Sequence, residues 1–169
     1  FEKDFSNYLG TEHSIAVNSG TSALHLAVIA SGIEQGDEVL IPDMTFFSTA
    51  TAVLYEKAIP VLVKCDPRTY NISLEDAEKK ITNKTKAIIS VDMNGLTVDY
   101  DELLTFADCH DIKIICDSAE ALGGIYKGQK VGSNAPIHIF SFFPNKNITT
   151  GEGGMITLNN LGCEHYKNI

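Results

Sequence analysis

The chain has 169 residues, of which 44% are hydrophobic and 21% are charged, a composition typical of a soluble globular protein. The formal net charge of −9 argues against nucleic acid as a partner, because a nucleic-acid binder usually presents a basic face. This charge by itself indicates no more than solubility. No run reaches the ~20 apolar residues that a membrane helix needs, and the N-terminus has no secretory pattern.

The cysteines are spread along the chain without a C-x-x-C pair. Their positions are Cys65, Cys109, Cys116 and Cys163. This spacing argues against a zinc site or a disulfide framework, so we expect free thiols, no metal and a cytoplasmic location. The chain opens at Phe1 without an initiator Met and stops at Ile169 soon after a predicted strand, so we expect a fragment or a processed chain.

Short β-branched runs alternate with helical stretches. In chain order we predict strand 14–17, helix 21–31, strand 38–41, helix 48–56, strand 60–63, helix 73–81, strand 86–91, helix 100–110, and strands 112–116, 137–142 and 155–158. Gly32 supplies a stop for the first helix, and Ser73 with Asp76 nearly matches a capping box at the start of the third.

This alternation predicts an α/β fold with three layers, in which helices cover both faces of a mostly parallel sheet. The strands are continuous apolar runs, which indicates that both of their faces are buried. No repeat, low-complexity segment or linker interrupts the pattern, so residues 1–169 are expected to form one domain. Ligands of such sheets bind at the carboxyl ends of the strands.

The first candidate site, residues 18–22 with the sequence Asn-Ser-Gly-Thr-Ser, lies between a predicted strand and a predicted helix. Gly20 allows a tight turn and a close approach of the backbone. Thr21 and Ser22 place hydroxyl and N–H donors at the start of the helix, where the dipole favours a phosphate. The alternative is an ordinary helix cap with a turn glycine.

The second candidate is Asp117, just past the end of a buried apolar strand. A carboxylate there is costly unless it is paired, and a protonated ring nitrogen such as that of a pyridinium is a suitable partner. The alternative is a helix cap.

The third candidate is Lys146, which stands between an aromatic strand end and a glycine-rich turn. Pro144 and the glycines at 151, 153 and 154 would fix its loop. Partial burial there would favour the neutral amine, the form that makes an imine. The alternative is a surface lysine in a loop. Together the three candidates provide what is needed to hold pyridoxal phosphate (PLP).

Across nearly its whole length the sequence resembles the nucleotide-sugar aminotransferases of the DegT family, PLP-dependent enzymes of fold type I. The resemblance lies in residues 18–25, 36–39, 42–46, 117–121, 126–128 with 131–132, and 140–154. The last is the most specific, because Ser-Phe-x-x-x-Lys before Thr-Gly-Glu-Gly-Gly is hard to match by chance. The resemblance implies a PLP-binding large domain without the C-terminal small domain.

The resemblance also implies a role for each candidate residue. Thr21 and Ser22 would bind the PLP phosphate, with Gly20 shaping the turn and Ser141 adding a hydrogen bond. Phe46 would stack on the pyridine ring, Asp117 would pair with its nitrogen, and Lys146 would hold the cofactor as a Schiff base and move the proton. The alternatives are a core aromatic for Phe46 and a strand-end hydroxyl for Ser141.

Two positions depart from the family pattern. Glu120 stands where relatives often have Gln or His near the cofactor's O3′. The resemblance implies that it would still face the cofactor and would add negative charge there unless it is protonated or paired. Residues 92–95, Asp-Met-Asn-Gly, replace His-x-x-Gly in a segment that would shape the sugar pocket. Relatives that dehydrate sugars carry His in place of the lysine, so Lys146 favours transamination.

The resemblance implies an enzyme that transfers an amino group from L-glutamate to a keto group of a nucleotide-linked sugar, for polysaccharide or related glycoside biosynthesis. A homodimer is expected for the full-length protein, because two subunits build each active site in this fold. The alternative is a non-catalytic sensor or partner domain that binds PLP or a nucleotide sugar. A dinucleotide-binding domain is a weaker alternative, because no G-x-G-x-x-G follows the first strand.

Overall fold

The structure is a computed structural model that describes residues 1–160. Its helices are α1 (Glu2–Leu9), α2 (Gly20–Ala30), α3 (Ser48–Tyr55), α4 (Leu74–Glu78) and α5 (Tyr100–His110), with a 3-10 turn at Met93–Gly95. Its strands are β1 (His13–Val17), β2 (Glu38–Pro42), β3 (Ile59–Val63), β4 (Thr85–Val91), β5 (Lys113–Asp117), β6 (Ile125–Tyr126), β7 (Gln129–Lys130), β8 (Ile137–Ser141) and β9 (Gly154–Leu158).

Seven of these strands form one sheet in the order β1-β9-β8-β5-β4-β2-β3. Strand β9 runs antiparallel to both of its neighbours, and the other six strands share one direction. The predicted α/β fold with a mostly parallel sheet is therefore confirmed. Because those six strands end at the same edge, the residues that follow them are brought together there.

Two hydrophobic clusters, one on each face of the sheet, make up the core. Helices α2 and α3 pack on one face, and α4 and α5 pack on the other. Neighbouring residues of one strand enter opposite clusters: Leu40 and Ile41 of β2, Ile88 and Ile89 of β4, and Ile114 and Ile115 of β5. These three central strands are therefore buried on both sides, which explains their continuous apolar sequences. The prediction was wrong for the edge strands β1 and β3, where Ile15, Ile59 and Leu62 are exposed.

A third cluster lies where the antiparallel strand joins the sheet. Phe5 and Leu9 of α1 pack there against Phe140 of β8 and Met155 of β9. The sequence reading did not predict α1. It also missed the hairpin of β6 and β7, whose two-residue turn uses positive φ at Lys127 and Gly128.

Helix α4 is shorter than the predicted helix 73–81. Ser73 caps its start, as predicted, by accepting a hydrogen bond from the Asp76 N–H. At the other end the N–H groups of Lys80 and Ile81 both bond to the Ala77 carbonyl, which closes the helix after one turn. The prediction was wrong about the C-terminal end of α4, because the residue types there do not indicate the closing turn.

Three further features concern the described part of the chain. Cys65, Cys109 and Cys116 are free thiols, and Cys163 lies outside the described residues. Between residues 1 and 160, no cluster of His, Cys, Asp or Glu could hold a metal ion. No helix in that range combines the length and the apolar character that crossing a membrane requires.

Candidate functional site

A cavity of about 420 Å³ opens at the carboxyl ends of β5 and β8. Seven of the eight residues predicted for the site line it: Gly20, Thr21, Phe46, Asp117, Glu120, Ser141 and Lys146. They come from segments that are up to 126 residues apart along the chain, since Lys146 is that far from Gly20. The fold thus brings the three candidate segments of the sequence together in one place.

One side of the cavity is the N-terminus of α2. The Ser19 side chain caps this helix by accepting a hydrogen bond from the Ser22 N–H (3.1 Å). A Cβ atom on Gly20 would lie 2.7 Å from Ser141 Cβ, too close for any side chain. Glycine therefore lets the helix start approach the end of β8 and sets the Ser141 hydroxyl beside it. Unpaired N–H groups of a helix start together with a hydroxyl suit an anion such as a phosphate.

Ser22 is the predicted site residue that does not line the cavity. Its N–H donates to Ser19 Oγ, and its own hydroxyl oxygen accepts a hydrogen bond from the Ser19 hydroxyl (3.0 Å). Its N–H and its hydroxyl oxygen are therefore both bonded to the helix cap. Ser19, which lies in the predicted segment 18–22 but was given no role of its own, lines the cavity.

Asp117 is the last residue of β5 and is only 7% exposed. Burial raises the pKa of its carboxyl to about 6, and the negative charges of Asp92 and Glu120 act in the same direction. The Ala119 N–H, which donates to Asp117 Oδ1 (3.1 Å), and the charge of Lys146 oppose this rise. A buried carboxylate that lines a cavity in this way is suited to a cationic ligand group.

Lys146 lines the same cavity, and its side chain is 18% exposed. Its Nζ donates to Glu120 Oε1 (3.1 Å), and Glu120 Oε2 accepts a hydrogen bond from the Asn94 N–H (2.9 Å). Burial raises the pKa of the Glu120 carboxyl, but these two hydrogen bonds outweigh it and hold the pKa below its usual range. Glu120 therefore carries its negative charge beside the lysine, and the 92–95 segment adjoins the site through Asn94.

Two adjacent aromatic side chains form another wall. Phe46 is 63% exposed and Phe47 is 67% exposed, and their ring centroids are 4.4 Å apart. The alternative reading of Phe46 as a core aromatic is therefore wrong. A flat ring could stack on either residue. Phe47, Ser48, Phe143, Asn145 and Glu152 also line the cavity without having been singled out; the only sequence signal for them was their adjacency to predicted residues.

The three-layer fold with this cavity at its strand ends is that of the PLP-dependent transferases of fold type I. The chain belongs to the DegT/DnrJ/EryC1/StrS aminotransferase family, whose model matches residues 1–166. It is 51% identical over 159 residues to GDP-perosamine synthase of Caulobacter vibrioides, covering 94% of this chain and 43% of that protein. The chain thus spans less than half the length of that relative.

Solved structures agree. The fold matches 3-amino-5-hydroxybenzoic acid synthase with a TM-score of 0.92 and 36% identity, over 98% of this chain and 43% of that one. It matches the PLP form of a putative sugar aminotransferase, Spr1654 from Streptococcus pneumoniae, with a TM-score of 0.89 and 35% identity, over 99% of this chain and 47% of that one. The family resemblance seen in the sequence is confirmed.

Proposed function

We propose that the full-length protein is a PLP-dependent aminotransferase that moves an amino group from L-glutamate to a keto group of a nucleotide-linked sugar. The product would serve the biosynthesis of a cell-surface polysaccharide or a related glycoside. The observation that carries the proposal is the shared cavity of Lys146, Asp117 and the start of α2. The names of the relatives, among them a GDP-perosamine synthase and a UDP-linked 3-dehydro-glucosamine aminotransferase, support the nucleotide-linked substrate.

The residues of the cavity fit PLP. The start of α2 at Gly20 and Thr21, with Ser141 beside it, would hold the phosphate, and Ser22 would support it by fixing the cap. The buried Asp117 carboxylate would pair with the ring nitrogen, and Phe46 would cover a face of the ring. Lys146 would form the covalent link. Glu120 would face the ring oxygen from beside the lysine.

When bound, PLP supplies the electron sink that allows a Cα–H bond of the amino donor to break. The chain's own residues would do the rest. Asp117, ionised against the ring nitrogen, would keep the proton on that nitrogen. The Lys146 amine, freed when the donor binds, would take the proton from Cα and return it to C4′. The second half of the reaction would run the same proton transfers in reverse.

The organisation of the whole protein belongs to the same proposal. Residues 1–169 would form the cofactor-binding large domain, and the full-length enzyme would be a cytoplasmic homodimer. Phe46, Phe47, Leu54 and Tyr55, which precede or belong to α3, are all at least half exposed. Such apolar surface is typical of a face that a second subunit covers. The oligomeric state of the full-length protein, measured by sedimentation, tests this part.

The central test is to add PLP to the full-length protein, reduce with borohydride and locate the adduct by mass mapping. We expect a visible absorbance band that borohydride removes, and a stable adduct on Lys146. Lys146→Ala should lose both, whereas Lys127→Ala, which removes an exposed lysine paired with Asp101, should keep both. An adduct on another lysine would contradict the proposal. Amino transfer from glutamate separates the enzyme from a binding protein without chemistry.

A further inference from the structure

Four polar side chains behind the cavity are fully buried and have no part in the proposed reaction. Asp92 follows β4, Tyr100 begins α5, Ser118 follows β5 and His138 lies within β8, and each has 0% exposure. None of the four lines the cavity. Since burying a polar group is costly without a partner, their arrangement requires an explanation.

The hydrogen bonds among them run in one direction. The Ala135 N–H donates to His138 Nε2 (3.0 Å), so Nε2 is an acceptor and the ring proton lies on Nδ1. His138 Nδ1 then donates to Ser118 Oγ (2.8 Å), and the Ser118 hydroxyl donates to Asp92 Oδ2 (2.6 Å). Ser118 is therefore the middle of a chain that begins on β8 and ends beyond β4.

Asp92 is the charged end of this chain. Its carboxylate also accepts hydrogen bonds from the Tyr100 hydroxyl (2.7 Å) and the Val98 N–H (3.2 Å). Burial raises the pKa of Asp92 to about 6 while these bonds oppose it, and burial lowers the pKa of His138 to about 3. At neutral pH the network therefore consists of one carboxylate, one neutral imidazole and two hydroxyls.

The same network is joined to Asp117 through the backbone. Ser118 directly follows Asp117, and its N–H donates to the Ile139 carbonyl (2.9 Å) of β8. The Asp117 carbonyl accepts from the Asp92 N–H (3.0 Å). The backbone of Asp117 is thus bonded to Asp92, a member of the network, and the next residue along the chain, Ser118, is bonded to β8. The side chain of Ser118 connects those two strands at this level.

We propose that Ser118 is a positioning residue for Asp117: its hydroxyl, held between His138 and Asp92, fixes the end of β5 so that the Asp117 carboxylate stays directed into the cavity. This inference rests on the proposed function, in which Asp117 meets the ring nitrogen of the cofactor. Its specific consequence is that Ser118 matters for recognition of the ring nitrogen and not for the phosphate end of the cofactor.

The test compares two ligands of the full-length protein, PLP and an analogue in which a C–H group replaces the ring nitrogen. The wild-type protein should bind PLP more tightly, and Asp117→Asn should remove most of that preference. Ser118→Ala, which deletes one oxygen atom, should lower the preference about tenfold, the size of one hydrogen bond to a charged group. Affinity for the analogue should stay within about twofold of wild type.

Tyr100→Phe is the matched control, because it removes a hydrogen bond to the same Asp92 oxygen while the Ser118 hydroxyl keeps its bonds to Asp92 and His138. It should lower the melting temperature and keep the wild-type preference for PLP. If Ser118→Ala does not fold, Ser118→Cys, with a weaker donor, should lose part of the preference. An unchanged preference in the folded Ser118 variant overturns the inference and leaves the proposed function intact. A wild-type protein that binds no PLP overturns both.

Discussion

Two aspartates lie at the ends of neighbouring strands, and their carboxylates accept different numbers of hydrogen bonds from the rest of the chain. Asp92 follows β4 and Asp117 ends β5, and their backbones share a hydrogen bond. Burial raises the pKa of both carboxyls to about 6. Asp92 accepts hydrogen bonds from Ser118, Tyr100 and Val98, whereas Asp117 accepts one, from the Ala119 N–H, within the described part of the chain.

This difference separates a structural carboxylate from one that serves a ligand. Both groups carry the cost of leaving water, but for Asp92 three donors of the same chain offset it. Asp117 has fewer such donors and lines a cavity. A buried charge whose needs are not met by its own fold is a strong sign of a functional site. The burial of the two residues alone would not distinguish them.

The largest expected effect is on catalysis at Asp117. Asp117→Asn removes the negative charge that would hold the proton of the ring nitrogen, so amino transfer by the full-length protein should fall about 10²- to 10³-fold. The measurement is the steady-state rate with saturating PLP. Asp101→Asn, at an exposed position on α5, should keep the wild-type rate. A rate within tenfold of wild type for Asp117→Asn would show that Asp117 does not serve the cofactor in catalysis.

The second expected effect concerns stability and pH. The pKa of Asp117 rises from 3.8 to about 6 on folding, so the folded protein holds this proton more tightly than the unfolded chain does. Stability from this group is then present below about pH 4 and is lost as the pH rises to about 6. Asp117→Asn cannot ionise, so without cofactor it should gain roughly 3 kcal/mol over wild type by pH 7.

Urea unfolding of the cofactor-free, full-length protein between pH 4 and pH 8 would measure this gain. The free-energy difference between Asp117→Asn and wild type should grow from pH 4 to pH 6 and then level off. A difference that is flat across this range would mean that Asp117 ionises as easily in the folded protein as in the unfolded chain. Asp117 would then not be a carboxyl that folding leaves costly to ionise without a ligand.

A smaller effect is expected at Tyr100, which serves Asp92. Tyr100→Phe removes a buried hydrogen bond to a charged group, so the free energy of unfolding should fall by about 2 kcal/mol. Tyr126→Phe is the matched control, because Tyr126 also donates to an aspartate, Asp99, at 2.7 Å but at the surface. That variant should lose less than about 1 kcal/mol. Equal losses for the two variants would show that burial does not strengthen the hydrogen bond from Tyr100 to Asp92.

Much of the fold followed from the sequence, because each element reflects a local pattern. The central strands β2, β4 and β5 were recognisable since burial on both faces demands unbroken apolar residues. Helix α1 carries only two buried residues, Phe5 and Leu9, whose partners lie more than 100 residues away. The two-residue strands of the hairpin are too short for any periodicity. These elements depend on tertiary contacts, which no local pattern records.

The site residues also divide into those with a local sequence pattern and those that depend on tertiary contacts. Asp117 and Lys146 were identifiable because an acid after a buried strand and a lysine before a glycine-rich turn are locally unusual. The hydrogen-bonded network of Asp92, Ser118 and His138 was not identifiable from the sequence, because Ser118 is 26 residues from Asp92 and 20 residues from His138 along the chain. Only the strand order β8-β5-β4 brings the three side chains together. That order is a property of the whole sheet and cannot be read from any one segment.

The smallest expected effect is at Glu120, a third carboxylate that tests how far the comparison extends. Glu120 is 37% exposed, so solvent weakens its ion pair with Lys146, and Glu120→Gln should change the free energy of unfolding by less than about 1 kcal/mol. Urea unfolding checks this, with Glu75→Gln, in an exposed ion pair of α4, as the control. A loss above about 2 kcal/mol would place Glu120 with Asp92, as a group on which the fold depends, because breaking the interactions of a desolvated charge costs that much whereas an exposed ion pair contributes less than about 1 kcal/mol.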